Sequence, residues 1–252
     1  MLNFLISLVT IFSVPSAMYP VYRASANIRG HLFKENGIRL LREVLFHTPA
    51  REFVIPRYPY NFTPSQLCFL CQCIEETRAV EGSIAEVGCS SGHTTLFLNN
   101  YMDAEKVEKT YYAIDTFHGF TAEDIRYEKT AREIKAKGFR VNKKKWFDMT
   151  MHEQGICRVR SIKADVNQFD LTILGPLAFV LLDVDLYRPT KKSLGELYRV
   201  LAPSGILVVD DCNPQGLWDG AERAYKEFIL EIGQFPQIVH EKLGIIRKHR
   251  GQ

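Results

Sequence analysis

The chain has 252 residues, which is enough for one α/β domain with an N-terminal addition and a substantial hydrophobic core. Its 32 basic and 29 acidic side chains leave a net charge of +3, and no basic stripe indicates binding to nucleic acid. Six scattered cysteines fall short of the density of a disulfide-rich secreted scaffold.

The first 22 residues carry no charge and are largely apolar. The segment 1–15 has the length of a signal peptide, but it lacks a basic n-region and is shorter than the roughly 20 apolar residues that span a bilayer. Three interpretations stay open: an anchor, a signal, or a helix packed on the domain or on a second subunit. We expect a cytoplasmic protein, and any membrane association would run through residues 1–22.

Two helices are predicted before the first strand. Residues 37–46 carry apolar side chains at helical spacing. Residues 63–66 (Thr-Pro-Ser-Gln) have the form of a capping box with proline at the first helical position, so a second helix begins there. We therefore divide the chain into an N-terminal extension, residues 1–62, and a main domain, residues 63–252.

Three cysteines fall inside this second predicted helix. No second Cys or His pair stands at zinc-binding spacing, so we expect them to pack rather than to bind a metal. They are Cys68, Cys71 and Cys73.

Residues 83–97 are typical of a strand, a glycine turn and a helix, the βα unit of nucleotide-binding folds. Gly88 and Gly92 allow a close approach of the backbone to a ligand, but the third glycine of G-x-G-x-x-G is absent, so a dinucleotide fingerprint is not present. Glu86 adds a carboxylate, which disfavours a pyrophosphate and favours a cationic ligand.

The second predicted strand, residues 110–114, ends in Asp115, where α/β cofactor sites place an acid on ribose hydroxyls. A polar insertion follows at about 119–157, and insertions at this rim commonly form lids and substrate walls. Helices are predicted within it at 127–137 and 143–153.

The third predicted strand, residues 158–163, leads to Asp165. This acid either faces an adenine amino group or caps the next turn. A helix is predicted at 190–201, and another contains residues 221–229. Residues 237–248 predict two short antiparallel strands at the end of an otherwise parallel sheet.

Two apolar runs end abruptly in carboxylates, at 177–182 and 205–209. Such runs fit strands that are buried on both faces of a parallel sheet, whose carboxyl ends meet at the ligand-binding rim. Carboxylates at such short distances repel each other unless a cation or a proton lies between them. A site made only of oxygen ligands suits Mg²⁺. We expect a metal or catalytic site here rather than two solvated strand ends. The four acids are Asp183, Asp185, Asp210 and Asp211.

The order of these features resembles that of class I S-adenosylmethionine (SAM) methyltransferases, and more narrowly the macrocin O-methyltransferase (TylF-type) family of sugar O-methyltransferases. The resemblance covers about residues 63–248. Its most specific part is D-V-D-L-Y at 183–187 together with D-D at 210–211. Three further segments match the family: residues 86–88, 114–119 and 243–248.

The resemblance implies an α/β, Rossmann-like class I methyltransferase fold: a mostly parallel seven-stranded sheet with an antiparallel C-terminal strand and helices on both faces. It implies SAM and Mg²⁺ as cofactors and a hydroxyl of a glycoside or related small molecule as the methyl acceptor. We also expect a homo-oligomer, and the lack of a basic stripe leads us to expect no binding of nucleic acid.

The resemblance also implies a role for each matching position. Cofactor binding falls to Glu86, Gly88 and Gly92 around the methionine part, to Asp115 and Thr116 at the ribose, and to Asp165 near the adenine. The implied metal ligands are Asp183, Asp210 and Asp211, with Asp185 as the general base.

Two positions depart from the family pattern, and two other functions remain. His93 follows the second glycine where a small residue is usual, and Cys212 follows the D-D pair where an aromatic is common. A catechol-type O-methyltransferase is one alternative, although it would place a lysine base shortly after Asp183, where this chain has Val184 and Asp185. A non-catalytic SAM-binding subunit is the other.

Overall fold

The structure is a computed structural model that describes residues 28–135, 142–213 and 219–249, without the side chains of 28–36 and Phe53. The apolar segment 1–22 therefore lies outside the described residues. No helix in the described part of the chain is long and apolar enough to cross a membrane. The chain divides into two compact units, Met1–Pro59 and Tyr60–Gln252.

The first unit contains helix α1 (Ile28–Phe46) and a short 3-10 helix (Pro49–Phe53). Helix α1 begins well before residue 37, where the apolar spacing starts. The 3-10 helix begins after Thr48, whose Oγ1 accepts a hydrogen bond of 3.2 Å from the backbone N–H of Ala50. This is the usual way in which a threonine satisfies the free N–H groups of a first turn.

The second unit is built from six α-helices and a seven-stranded sheet within the described residues. Its helices are α2 (Pro64–Glu76), α3 (His93–Ala104), α4 (Ala122–Ala131), α5 (Lys144–Glu153), α6 (Tyr187–Val200) and α7 (Gly220–Glu231). Its strands are β1 (Ser83–Val87), β2 (Tyr111–Asp115), β3 (Val159–Lys163), β4 (Leu177–Leu182), β5 (Leu201–Val209), β6 (Ile238–Val239) and β7 (Leu243–Arg247).

The sheet has the strand order β3-β2-β1-β4-β5-β7-β6. Strands β1 to β5 pair in parallel, β7 pairs antiparallel with β5, and β6 pairs antiparallel with β7. This confirms the expected mostly parallel sheet with an antiparallel C-terminal end. The order reverses between β1 and β4, which is the switch point where open α/β sheets bind ligands.

Strand β4 is buried along its whole length, as its continuous apolar sequence predicts. Neighbouring residues of β4 pack into different clusters: Phe179 and Leu181 pack with α2 and α3, whereas Val180 and Leu182 pack with α6 and α7. Because successive side chains of a strand point to opposite faces, helices cover both faces of the sheet.

Helix α2 begins with the predicted capping box. Thr63 Oγ1 accepts from the N–H of Gln66 at 3.3 Å, and Gln66 Oε1 accepts from the N–H of Thr63 at 2.8 Å. Within this helix Cys71 and Cys73 are buried, which confirms packing for these two, and Cys68 is exposed.

The insertion after β2 differs from the prediction in its first helix. Helix α4 begins at Ala122 rather than at 127, because Thr121 Oγ1 accepts from the N–H of Asp124 at 3.1 Å and so caps the first turn. Helix α5 agrees with the predicted 143–153. Its Phe147 and Met151 are buried in the core beside α3, so α5 is more than a lid.

Candidate functional site

The glycine loop after β1 joins two strand ends and two helices. Both loop glycines have positive φ, 97° for Gly88 and 88° for Gly92. A Cβ on Gly88 would lie 1.7 Å from the backbone oxygen of Asp183, so glycine is required for the ends of β1 and β4 to approach. A Cβ on Gly92 would lie 2.8 Å from the ring of Phe147, so this glycine makes room for α5.

A cavity of about 290 Å³ opens where β1, β2, β4 and β5 end. Its wall also contains Asn61 and four residues from the start of the insertion: Gly119, Phe120, Thr121 and Asp124. It therefore brings together most of the residues that the sequence singled out. These are Gly88, Asp115, Thr116, Asp165, Asp183, Asp185, Asp210 and Asp211.

Glu86 lies within β1 and is not among the described residues that line this cavity. It is 2% exposed, and its Oε2 accepts hydrogen bonds from Thr95 Oγ1 at 2.5 Å and from the Tyr111 hydroxyl at 2.7 Å. Burial raises the pKa of the Glu86 carboxyl to about 7. The carboxyl therefore ties β1 to α3 and β2 behind the glycine loop, and Gly92 is likewise absent from the cavity lining described.

Asp115 ends β2 and holds the loops on either side of it. Its Oδ2 accepts from the N–H of Ser90 at 2.8 Å, and its Oδ1 accepts from the N–H of Phe117 at 2.6 Å. Thr116 donates through its hydroxyl to the carbonyl of Gly119 at 2.8 Å. Each carboxylate oxygen keeps a second lone pair, so Asp115 has acceptor capacity left at the cavity wall.

Asp165, after β3, caps a turn and lines the cavity at the same time. Its Oδ1 accepts from the N–H of Asn167 at 2.9 Å. The turn-capping alternative is therefore realised, and a role toward adenine is not tested by it.

The acids after β4 and β5 meet as the sequence predicts. Asp183, Asp185 and Asp211 each offer one carboxylate oxygen, and these oxygens lie within 4.8 Å of one another. Asp185 and Asp211 have φ angles of 59° and 57°, in the left-handed region that L-residues seldom adopt. Strained backbone of this kind persists where tertiary contacts enforce it, often at functional sites.

The acid cluster, defined as Asp183, Asp185, Asp210 and Asp211, is electrostatically unbalanced. Burial raises the pKa of Asp183 and of Asp185 well above the usual range, and the neighbouring carboxylates raise both further. Burial also raises the pKa of Asp210 to about 6. Mutual repulsion of this kind is relieved when a cation enters the cluster.

Lys242 is a member of the site that sequence reasoning missed. Its Nζ lies 2.7 Å from Asp210 Oδ2, 3.5 Å from Asp211 Oδ1 and 4.7 Å from the centroid of the Phe62 ring. The predicted antiparallel strands at the C-terminus could have located it. Once β7 pairs antiparallel with β5, Lys242, the residue before β7, must lie beside the end of β5. Asp210 Oδ1 remains buried without a hydrogen-bond partner in the described structure.

The comparisons with known proteins agree with this geometry. The family described as Macrocin-O-methyltransferase (TylF) matches residues 55–233 of the chain. No curated protein sequence matches it. Solved structures of similar fold are numerous, and they are distant in sequence.

Three of these structures, of two proteins, share the fold of this chain. The O-methyltransferase NovP is 18% identical, with a TM-score of 0.63, over 87% of this chain and 99% of that chain. The calicheamicin methyltransferase CalS11 is 17% identical, with a TM-score of 0.61, over 92% of this chain and all of that chain (100%). An apo structure of CalS11, there named TDP-rhamnose 3′-O-methyltransferase, is 16% identical, with a TM-score of 0.54, over 91% and 97%.

At these identities the solved structures show the shared fold, and the family match shows the kind of protein. It spans most of the second unit, including the glycine loop, the end of β2 and the whole acid cluster. The chain belongs to the TylF macrocin O-methyltransferase family and is an S-adenosylmethionine-dependent O-methyltransferase.

Proposed function

We propose that this enzyme transfers a methyl group from SAM to a hydroxyl of a glycoside or related small molecule, with a divalent cation such as Mg²⁺ bound at the acid cluster. The observation that carries the proposal is the cavity itself. One cavity is lined both by Asp115, the acid suited to ribose hydroxyls, and by all four acids of the cluster. Cofactor and cation would then lie in the same space as the acceptor.

The described residues fit a divalent cation. Carboxylate oxygens of Asp183, Asp185 and Asp211 lie within 4.8 Å of one another, and Asp210, outside that trio, keeps a buried oxygen, Oδ1, without a partner among the described residues. An unpaired carboxylate oxygen in a buried site is costly, and hard cations prefer such oxygens. In this proposal Asp183, Asp210 and Asp211 hold the cation.

The cavity also fits the cofactor. Gly88 lines the cavity and allows the ends of β1 and β4 to approach, because a Cβ there would meet the backbone of Asp183. In this proposal Asp115 accepts hydrogen bonds from the ribose hydroxyls with Thr116 beside it, and Asp165 lies near the adenine. Glu86 and Gly92 act from behind the loop, by fixing it around the methionine part.

The reaction needs a deprotonated hydroxyl in line with the methyl group. When bound, SAM supplies the methyl group and the cation supplies positive charge beside the hydroxyl. Asp185 accepts the hydroxyl proton, because its carboxylate lies beside Asp183 and Asp211 and lines the cavity. The walls of the cavity hold the two reactants in a productive orientation.

A small acceptor panel tests the proposal. TDP-rhamnose is included because the CalS11 structure is named for it, together with p-nitrophenyl rhamnoside and catechol. We expect methyl transfer to a sugar hydroxyl that requires Mg²⁺ and is lost in EDTA. Preferred methylation of catechol would instead support the catechol-type alternative, and full turnover in EDTA would remove the cation from the proposal.

A further inference from the structure

The turn that carries Asp185 is held from two sides, and one of the two holding groups comes from the insertion. We propose that Glu128 of α4, together with Arg132, is a positioning residue that fixes the turn formed by Val184, Asp185 and Leu186, called the Asp185 turn below. This inference rests on the proposed role of Asp185 as the base. It adds a role for the insertion beyond covering the cavity.

The Asp185 turn is too strained to keep its shape unaided. Asp185 has φ 59°, and the N–H of Leu186 reaches back to the carbonyl of Val184 at 2.6 Å. The left-handed region is unfavourable for L-residues, and aspartate tolerates it better than most, so the contacts around Asp185 help to select this conformation.

The first outside contact comes from α7. The N–H of Ala221 donates to the carbonyl of Asp185 at 3.2 Å. Gly220 packs so closely that a Cβ would lie 2.5 Å from the Tyr187 nitrogen and 3.0 Å from the Asp185 oxygen. The start of α7 is therefore pressed directly against the turn.

The second outside contact comes from Glu128. Helix α6 starts at Tyr187, and its N-cap residue, Leu186, makes no side-chain capping bond. Glu128 Oε1 supplies the missing acceptor and takes the N–H of Tyr187 at 2.9 Å. A carboxylate at a helix N-terminus is further favoured by the helix dipole.

Arg132 links these two contacts. Its Nε lies 2.9 Å from Glu128 Oε2, and both side chains are nearly inaccessible, at 4% and 1% exposed. The same guanidinium forms an ion pair with Asp219, the residue before α7, and lies 5.0 Å from the centroid of the Tyr187 ring. Glu128 thus holds one side of the turn directly and, through Arg132 and Asp219, the start of the helix on the other side.

This placement couples the cavity wall to the proposed base. Asp124, in the first turn of α4, lines the cavity, and Glu128 in the same helix holds the Asp185 turn. A shift of α4 that alters the cavity wall would therefore also move Asp185. A buried ion pair such as Glu128–Arg132 is weak evidence for stability, since its desolvation offsets much of its attraction.

The test compares three full-length variants. Glu128→Met removes the acceptor for the Tyr187 N–H, and Glu128→Gln keeps an oxygen there. Glu227→Gln is the matched control, because Glu227 Oε2 also contacts Tyr187, accepting from its hydroxyl at 2.6 Å, but does not touch the turn. Amide hydrogen exchange at Tyr187 is measured with the Leu181 amide of β4 as internal reference, and kcat and KM are measured with SAM, Mg²⁺ and TDP-rhamnose.

We expect Glu128→Met to speed exchange at Tyr187 at least about tenfold with Leu181 unchanged, and to lower kcat about tenfold or more with SAM affinity within about twofold. Glu128→Gln should recover most of both losses, and Glu227→Gln should match the wild type. If Glu128→Met leaves a guanidinium that prevents folding, Glu128→Met/Arg132→Met removes that buried charge and should show the same losses.

Three results would overturn the inference: unchanged exchange at Tyr187, equal acceleration at Leu181, or equal loss in Glu227→Gln. Asp185→Asn in the same assay separates the two proposals. If Asp185→Asn keeps full turnover, the role of Asp185 as base fails. If Asp185→Asn loses turnover while Glu128→Met does not, only the positioning role of Glu128 fails.

Discussion

The two halves of the cavity wall differ in how fully their carboxylates are paired with hydrogen-bond donors or cations. In the cofactor half, Asp115 has a backbone N–H on each carboxylate oxygen, and behind this wall the buried Glu86 accepts hydrogen bonds from two hydroxyls. In the acid cluster, carboxylates face one another, and the cation among the described side chains is Lys242. The first half is complete within the chain, and the second is not.

This difference indicates what each half needs from outside. A carboxylate that already accepts hydrogen bonds from backbone N–H groups is stable before a neutral ribose binds. The acid cluster holds four carboxylates against one ammonium, so protons or cations from outside must relieve the remaining repulsion. A divalent cation and the sulfonium of SAM supply three charges, which together with Lys242 would balance the four acids.

The largest effect is expected where the incomplete half loses a proposed ligand. Asp210→Ala should lower turnover at least about 10³-fold and should abolish Mg²⁺ binding, because it removes the unpartnered oxygen Oδ1. Calorimetric Mg²⁺ titration and methyl-transfer assays measure both. Asp170→Ala, which removes an acid that caps an exposed turn, should leave both unchanged. Mg²⁺ binding of wild-type strength in Asp210→Ala would exclude Asp210 from the cation site.

Removing the charge of Lys242 should increase the electrostatic imbalance of the acid cluster and leave the cofactor half unchanged. Lys242→Met leaves Asp210 buried beside three other acids, so the free energy of unfolding should fall by about 3 kcal/mol without Mg²⁺. Mg²⁺ should then stabilise this variant more than it stabilises the wild type, because one repelling charge is gone. Thermal unfolding with and without Mg²⁺ measures this; an equal Mg²⁺ effect in both proteins would contradict the account.

In the complete half, losing an acceptor should weaken only the cofactor. Asp115→Ala should weaken SAM binding by about 1.5–3 kcal/mol, because the ribose hydroxyls lose a charged acceptor. Mg²⁺ affinity should be unchanged. Asp115→Asn, which keeps one oxygen acceptor, should lie between the two. Unchanged SAM affinity in Asp115→Ala would remove the ribose assignment.

The smallest effect concerns Glu86 and appears only in the pH dependence of stability. Folding raises the pKa of Glu86 from 4.5 to about 7, so the protonated carboxyl stabilises the folded state. This contribution to the free energy of unfolding is fully present below pH 4.5 and is lost as the pH rises through 7. Glu86→Gln mimics the protonated form, so its stability relative to wild type should rise by about 2 kcal/mol from pH 5 to pH 8. Denaturant unfolding at both pH values tests this, and parallel pH curves would contradict it.

Much of the fold followed from local patterns in the sequence. The apolar run before Asp183 predicted a doubly buried strand, and the threonine-proline start predicted α2, because both signals depend on near neighbours. The first helix of the insertion was misplaced because its start is set by the Thr121 cap rather than by apolar spacing. Strand parity also held information that was not used: Glu86 shares a face with Ile84, away from Ala85 and Val87.

The parts of the site that escaped prediction depend on contacts between distant residues. Lys242 reaches Asp210 only because the final hairpin places the N–H of Cys212 against the carbonyl of Lys242. Glu128 reaches the Asp185 turn only through the packing of α4 on α6. Neither residue has a local motif: the predicted antiparallel ending could have located Lys242, and nothing in the sequence pattern indicated Glu128.

The central claim is that the acid cluster divides its work between holding a cation and accepting a proton. The most direct test is Asp185→Asn, measured by Mg²⁺ titration, SAM titration and turnover with the acceptor that the panel identifies. The account predicts nearly intact Mg²⁺ and SAM affinity with turnover reduced roughly 10²–10⁴-fold, as expected for the loss of a general base. A loss of Mg²⁺ affinity as severe as that of Asp210→Ala would contradict it and place Asp185 among the cation ligands.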